Sequence, residues 1–361
     1  MESASATRVR QTTIPDGWQT SRLVANEHGG AEVNMATKSG VSRREFLETS
    51  GLAVTVGVVG AISALPQRVA AEAAGWKLPH RALGRTGVQV SILAFGCGSR
   101  FLEHPVDKAS AVLEEAIESG IDYFDTAVSY GDGESETRVG RVMATRRKDV
   151  FLATKVPTRS RTRDAALKEV EASLKRLQTD RLDLLHLHGI SDEADLARIE
   201  APDGALKALY ELRDQKVTRF IGMTSHSDGA VMAKAIQHND LDCVQMAMNP
   251  VQGGRFEELA LPAANAKRLG VILMKVTAQD KLLVDGGADA ASLLRYAWSL
   301  PISAAVCGMP KIEHLRANVA TAKAFTSPLA PAEIERLRKQ LAGRKYALEQ
   351  FFLRHHDGAR C

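Results

Sequence analysis

The chain has 361 residues, 25% of them charged and 45% hydrophobic, which suits a large α/β domain with extra segments. Lysine plus arginine outnumber aspartate plus glutamate by 47 to 43, and no basic stripe interleaved with aromatics stands out, which argues against a nucleic-acid binder. The four cysteines (Cys97, Cys243, Cys307, Cys361) are far apart with no C-x-x-C, so neither a zinc site nor an iron–sulfur cluster is expected.

Residues 1–40 are polar, rich in Gly, Ser and Thr, and without clear periodicity; they are expected to be disordered. Residues 41–74 read differently. Ser42-Arg43-Arg44-Glu45-Phe46-Leu47 is followed by the moderately apolar run Gly51–Leu65, then Pro66, then small residues. A basic start, a short apolar middle and an A-x-A-like end form an export signal. The paired Arg43-Arg44 before Phe46 and Leu47 resembles a twin-arginine signal. The implied partner is the twin-arginine export machinery, and the implied location is periplasmic or extracellular. If the signal is unused, the protein stays in the cytoplasm. The run is too short for a comfortable membrane span, so no permanent span is expected. Cleavage is expected near Ala71 or Ala73, and both Met1 and Met35 stay open as starts. An amphipathic or buried helix that happens to carry two arginines is the competing reading.

From residue 75 onward the patterning is that of a folded domain. His80–Leu83 and Val88–Ser91 flank the turn residues 84–87 and predict a small hairpin. Strands are then predicted at Ile92–Phe95, Tyr123–Thr126, Val150–Lys155, Leu182–Leu187, Arg219–Met223, Cys243–Met246, Val271–Lys275 and Ala304–Cys307. Between and after them the spacing predicts helices at Asp107–Ser119, Glu134–Ala144, Arg163–Leu177, Asp203–Gln215, Gly229–Gln237, Phe256–Leu269, Ala288–Leu300 and Ile312–Ala324. One more helix is expected at Pro331–Leu341, with a proline at its first position. Strand–helix alternation favours parallel pairing with right-handed crossovers. Eight such units predict a (β/α)8 TIM barrel carrying an N-terminal β-hairpin and an extra C-terminal helix. An open doubly wound sheet that bound a dinucleotide would show G-x-G-x-x-G after its first strand. Here that place reads AFGCGSRF.

The richest stretch is 121–156. It carries Asp125 near the end of one predicted strand, Tyr130 in a Gly-broken loop, and Lys155 at the end of the next strand. His186 and His188 alternate in DLLHLHG and so share one face, His188 nearer the strand's carboxyl end. In a parallel barrel these ends gather on the catalytic face. A lone inward histidine is more often structural, but four ionisable residues at successive strand ends point to catalysis. A free tyrosine titrates near pH 10 and transfers protons poorly at neutrality. A neighbouring ammonium favours the phenolate, a carboxylate holds that ammonium in place, and a histidine can orient a carbonyl oxygen. Together they suit proton donation to an oxyanion.

These residues carry a family resemblance. Between Leu78 and Gly343 the chain resembles the aldo/keto reductases, through GIDYFDTAVSYGDGESETRVGRVM and through the histidine that follows Asp183 in RLDLLHLHG. The resemblance implies an eight-stranded barrel that uses NADP or NAD without a Rossmann fold. It implies a small-molecule carbonyl or alcohol substrate. It places Tyr130 as general acid, Lys155 tuning it, Asp125 pairing with Lys155, and His188 orienting the carbonyl.

The same resemblance places cofactor residues less evenly. Gly96 and Cys97 at the end of the first strand are counted among them. Thr224 and Ser225 occupy the places of a Ser-Asn pair that holds the nicotinamide carboxamide, and Gln245 matches a carboxamide-binding glutamine. Met274 stands where an aromatic ring often stacks, and a thioether can cover a ring face; plain core packing is the bland reading. Asn318 matches the closing residue of the segment around the adenosine 2′-phosphate. Gly308 and His314 replace the customary Lys and Arg there; Lys311 or Arg316 substitutes, or both are solvated charges. NAD against NADP is open. So is a disulfide between Cys97 and Cys307, which close neighbouring strands. The loops Ser99–Val106 and Thr277–Gly287 carry no substrate signature. A nucleotide-binding, redox-sensing or regulatory barrel with little turnover is the alternative function. A metal-dependent barrel hydrolase lacks the His/Asp clusters it would need, and no metal ligands are assigned.

Overall fold

The protein was analysed as a computed structural model, which describes residues 75, 77–251, 253–283 and 287–353. The expected disordered extension (1–40) and export signal (41–74) lie outside the described residues.

The chain enters through an antiparallel hairpin, β1 (His80–Ala82) and β2 (Gln89–Ser91), in the register His80 with Ser91. Eight parallel strands follow: β3 (Leu93–Gly96), β4 (Tyr123–Asp125), β5 (Phe151–Val156), β6 (Leu182–Leu187), β7 (Thr218–Ser225), β8 (Cys243–Ala247), β9 (Gly270–Met274) and β10 (Ala304–Cys307). They pair in sequence order, and β10 bonds to both β9 and β3, so the sheet closes into a barrel. Closure removes the open sheet edges, and the helices cover the outside.

Alternation along each strand sorts the core into two parts. Tyr123, Phe151, Ala153, Leu184, Cys243, Ile272 and Ala304 pack together inside the barrel. Phe124, Leu152, Leu185 and Leu187 face the helices. By this parity Asp125, Lys155, His186 and His188 all point inward. The hairpin plugs the end where the strands begin: Leu83 and Val90 belong to the interior cluster. Its turn needs glycine, because Gly84 has φ 55 and an added Cβ would fall 2.2 Å from the Gly270 nitrogen. The opposite end is left for chemistry.

Helices Arg163–Leu177 and Ile312–Ala324 have the expected bounds, and Pro331–Leu341 follows the barrel as expected. The segment from Phe256 differs from the single helix expected. It opens as a π-helical turn, Phe256–Ala260, and continues as the α-helix Leu261–Ala266. Arg255 is left-handed at φ 55, and Pro262 has no N–H to donate back along the helix. Among the described residues three α-helices were not expected: Ser99–Leu102, Glu193–Glu200 and Lys345–Leu353. The second starts on a cap visible in hindsight, Asp192 accepting from Asp195 N at 2.8 Å.

Candidate active site

The loop after β4 sets the site. Tyr130 N donates to Ala127 O at 3.1 Å, and Gly133 N to Val128 O at 2.7 Å. Gly131 and Gly133 take φ 65 and 88, which lets the loop turn tightly beneath Tyr130. The helix Glu134–Arg146 then ties the loop to the barrel. Ser135 Oγ donates to Cys97 O at 2.6 Å. Buried Glu136 accepts from Thr154 Oγ1 and from Arg176 Nε, each at 2.6 Å. Thr154 immediately precedes Lys155, so this network reaches the strand that carries the amine.

Lys155 is buried and its Nζ has three oxygen neighbours. It donates to Asp125 Oδ1 at 2.6 Å, to Thr126 O at 2.9 Å and, more weakly, to Tyr130 Oη at 3.4 Å. The second Asp125 oxygen accepts from Gln245 Nε2 at 3.1 Å. The carboxylate is therefore paired with an ammonium and an amide, as a buried charge requires. His188 follows β6. Its N donates to Val156 O at 2.9 Å, and its carbonyl accepts from Arg161 Nη2 at 2.9 Å. Arg161 is itself clamped to buried Asp195 by bonds of 2.9 and 2.7 Å. The Tyr130 and His188 rings meet edge to face, centroids 5.9 Å apart. Ser129 Oγ lies 3.1 Å from His188 Nδ1.

A cleft opens beside these residues. Asp125, Tyr130, Gly96, Gln245 and Met274 line it, together with Arg100, Lys275, Thr277, Gln279, Cys307 and Gly308. Gln245 Oε1 is buried at its floor with no partner among the described residues. Arg100 bridges the mouth, reaching Gln279 O at 3.0 Å and Asp280 Oδ2 at 2.9 Å. Among the described residues no group of three or more His, Cys, Asp or Glu could hold a metal ion.

The structure thus gathers Asp125, Tyr130, Lys155 and His188, and it puts Gly96, Gln245 and Met274 on the cleft wall. The other residues assigned from sequence do not line it. Thr224 Oγ1 accepts from Gly189 N at 2.8 Å, and Ser225 Oγ donates to Ile190 O at 2.8 Å; both hold the corner after His188. Cys97 is buried with its thiol towards Phe95 O. Arg316 makes two bonds, 2.6 and 3.1 Å, to Glu115. Lys311 is the exposed N-cap of its helix. Asn318 donates to Cys307 Sγ at 3.5 Å, one layer behind the cleft. Cys97 and Cys307 are free thiols, not bonded to each other. Burial pushes the Cys97 thiol well up and that of Cys307 to about 12, so both stay protonated near neutrality. Ser129, Arg100, Lys275 and Gln279 were not singled out from sequence. Ser129 had one usable signal, its position directly before Tyr130.

An eight-stranded parallel barrel with a Tyr–Lys–Asp–His cluster at its carboxyl end defines an oxidoreductase of a recognisable class. A sequence model described as the Aldo/keto reductase family matches residues 93–291, and the chain belongs to that family. It is 29% identical over 291 residues to "Uncharacterized oxidoreductase YqkF" of Bacillus subtilis, covering 68% of this chain and 91% of that one. It is 37% identical over 158 residues to L-galactose dehydrogenase of Arabidopsis thaliana, 41% of this chain and 49% of the other. The solved structure of the aldo-keto reductase AKR11C1 from Bacillus halodurans (holo form) matches with a TM-score of 0.63 at 25% identity. That match covers 73% of this chain and 96% of that one.

Proposed function

We propose that this protein interconverts an aldehyde or ketone with its alcohol, using a nicotinamide dinucleotide, and that Tyr130 is the proton donor. The observation that carries this reading is the contact chain Asp125–Lys155–Tyr130. Lys155 donates to Tyr130 Oη, so that oxygen accepts from the ammonium and keeps its own O–H as the donor. As the phenol gives up its proton, the ammonium stabilises the phenolate. Asp125 keeps Lys155 in reach, and His188 stands beside Tyr130 to orient the carbonyl.

The cleft fits the cofactor. Gln245 Oε1, without a partner among the described residues, suits an amide N–H, Met274 offers an apolar cover, and Lys275 is a cation on the wall for phosphates. A bound nicotinamide supplies the hydride in reduction and takes it in oxidation. Thr224 and Ser225 act one step back, by fixing Gly189 and Ile190.

The test is oxidation of NADH and NADPH with simple aldehydes, and reduction of NAD and NADP with aldoses such as L-galactose. Tyr130→Phe is the control. Wild type and variant equally inert, with no nucleotide bound, would sink the reading. Tight binding without turnover across the whole panel would favour a regulatory barrel instead. We further propose that Arg43-Arg44 and the following apolar run direct export. Mass spectrometry of the protein from its native cell fraction tests this: a mature start near residue 72 or 74 supports it, and an uncleaved chain in the cytoplasm opposes it.

A further inference from the structure

We propose that Ser135 is a positioning residue that sets the reach of the Lys155 ammonium to Tyr130; this deepens the carbonyl-reduction reading above and rests on it. The three oxygens around Lys155 Nζ come from Asp125, Thr126 and Tyr130. Each of those residues is tied to Ser135. Ser135 N donates to Tyr130 O at 3.2 Å. The Ser135 hydroxyl donates to Cys97 O at 2.6 Å, and Cys97 N in turn donates to Asp125 O at 2.8 Å. The same hydroxyl stands 2.7 Å from Thr126 Oγ1. A hydroxyl has one proton, and a carbonyl oxygen only accepts. The Ser135 proton is therefore on Cys97 O, and Thr126 is the donor in its bond to Ser135.

Both hydroxyl side chains are fully buried, so bulk water does not compete for these bonds. The lysine chain is long, and where its charge rests is decided by where the three oxygens stand. The contact to Tyr130 is the longest at 3.4 Å, against 2.6 Å to Asp125 and 2.9 Å to Thr126. A small shift of Asp125 or of the Thr126 carbonyl therefore draws the ammonium off the phenol first. Ser135 lies in the first turn of the helix Glu134–Arg146. Its N–H holds the loop of the acid, and its hydroxyl holds the cradle of the amine, in one frame. A mere staple between this helix and the end of β3 would cost stability when cut and leave the proton of Tyr130 where it was.

The phenolate absorbance of the full chain, taken as the difference from Tyr130→Phe, reads the titration of Tyr130 with no substrate present. Ser135→Ala is expected to move its midpoint up by about one pH unit, because the ammonium then stabilises the phenolate less. Thr126→Val, which keeps the shape and removes one donor, should move it the same way. Thr126→Ser, which keeps the hydroxyl, should hold the wild-type midpoint. In carbonyl reduction, Ser135→Ala should lower kcat by about tenfold, with KM for the carbonyl changed less than about twofold. The falling limb of kcat against pH should move up with the midpoint, since a general acid works only while protonated. A stability loss with an unchanged Tyr130 midpoint, or a moved midpoint with an unchanged kcat profile, would each overturn the proposal. If Ser135→Ala does not fold, the Thr126 pair decides: equal midpoints in Thr126→Val and wild type overturn it as well. The midpoint is read without turnover, so a protein that reduces no carbonyl still decides the role of Ser135, and that failure falls on the functional reading alone.

Discussion

His186 stands directly across from Lys155 on the neighbouring parallel strand, both inside the barrel. The imidazole is fully buried, and neither ring nitrogen has a hydrogen-bond partner among the described residues. It fills the space over Gly222, where a Cβ would come within 2.6 Å of its Nδ1. Burial first, then Lys155 and His188, push its pKa well below the usual histidine value, so the ring is neutral in the fold.

A pH dependence follows from that depressed pKa. The unfolded chain takes up a proton at His186 near pH 6.5, and the folded chain does not. The cost of keeping the ring neutral in the fold is therefore absent above about pH 6.5 and grows as pH falls below it, by up to roughly 1.4 kcal/mol per unit. His186→Leu should remove that slope. At neutral pH it should cost little, because the ring's polar atoms make no bond that would be lost. Urea unfolding of both proteins at about pH 7.5 and 5.5 measures the difference. Equal losses of stability between the two pH values would clear His186 as the source.

Lys155 and Asp125 form a buried pair with side chains 0% and 2% exposed. Lys155→Met leaves the carboxylate with Gln245 alone, and the expected cost is about 3 kcal/mol of stability. Adding Asp125→Leu should recover a large part of it, since an apolar pair replaces an ionic one. Both variants should be inactive, so activity and stability separate. A double variant less stable than the single one would contradict this account.

Arg100 spans the mouth of the cleft to Gln279 and Asp280. The loop it holds is left-handed at Lys275, Ala278, Gln279 and Asp280, with φ between 50 and 67. Releasing the arm should free that loop. Arg100→Ala is expected to speed nucleotide dissociation about three- to tenfold, and raised salt should do part of the same in the wild type. Stopped-flow displacement reads both. An unchanged off-rate would show that the arm does not gate the cleft.

Selectivity for a 2′-phosphate should be weak. At the places where the family resemblance puts cations stand Gly308, which has no side chain and packs against Arg100, and His314, and the substitute Arg316 is spent on Glu115. Glu313 adds an acid to the first turn of that helix. NADH is expected to bind within about threefold of NADPH in fluorescence titrations. A tenfold advantage for NADPH would refute this, and Lys311→Ala would show which cation provides it.

Much of this architecture was legible before the structure. The eight strands, the plugging hairpin and the helix Pro331–Leu341 follow from apolar spacing and turn residues, which are local properties. The inward aim of Asp125, Lys155, His186 and His188 follows from the two-residue period of a strand. The π-turn at Phe256–Ala260 was missed because its period differs little from that of an α-helix over one turn. The helix Glu193–Glu200 was missed because it is short and mostly polar.

The cofactor residues divide along the same line. Gly96 and Met274 end their strands, Gln245 lies within β8, and all three face inward and reach the cleft. Thr224 and Ser225 have the right chemistry, but their oxygens are taken by the turn after His188. The strands, their order and the inward acid, amine and imidazole were set by the sequence itself, because each depends on residues within one element. Tertiary structure alone decided which polar atoms stay available. Glu115 takes Arg316 from 201 residues away and Arg100 meets the backbone of Gln279 across 179, and no local pattern encodes a partner at that distance.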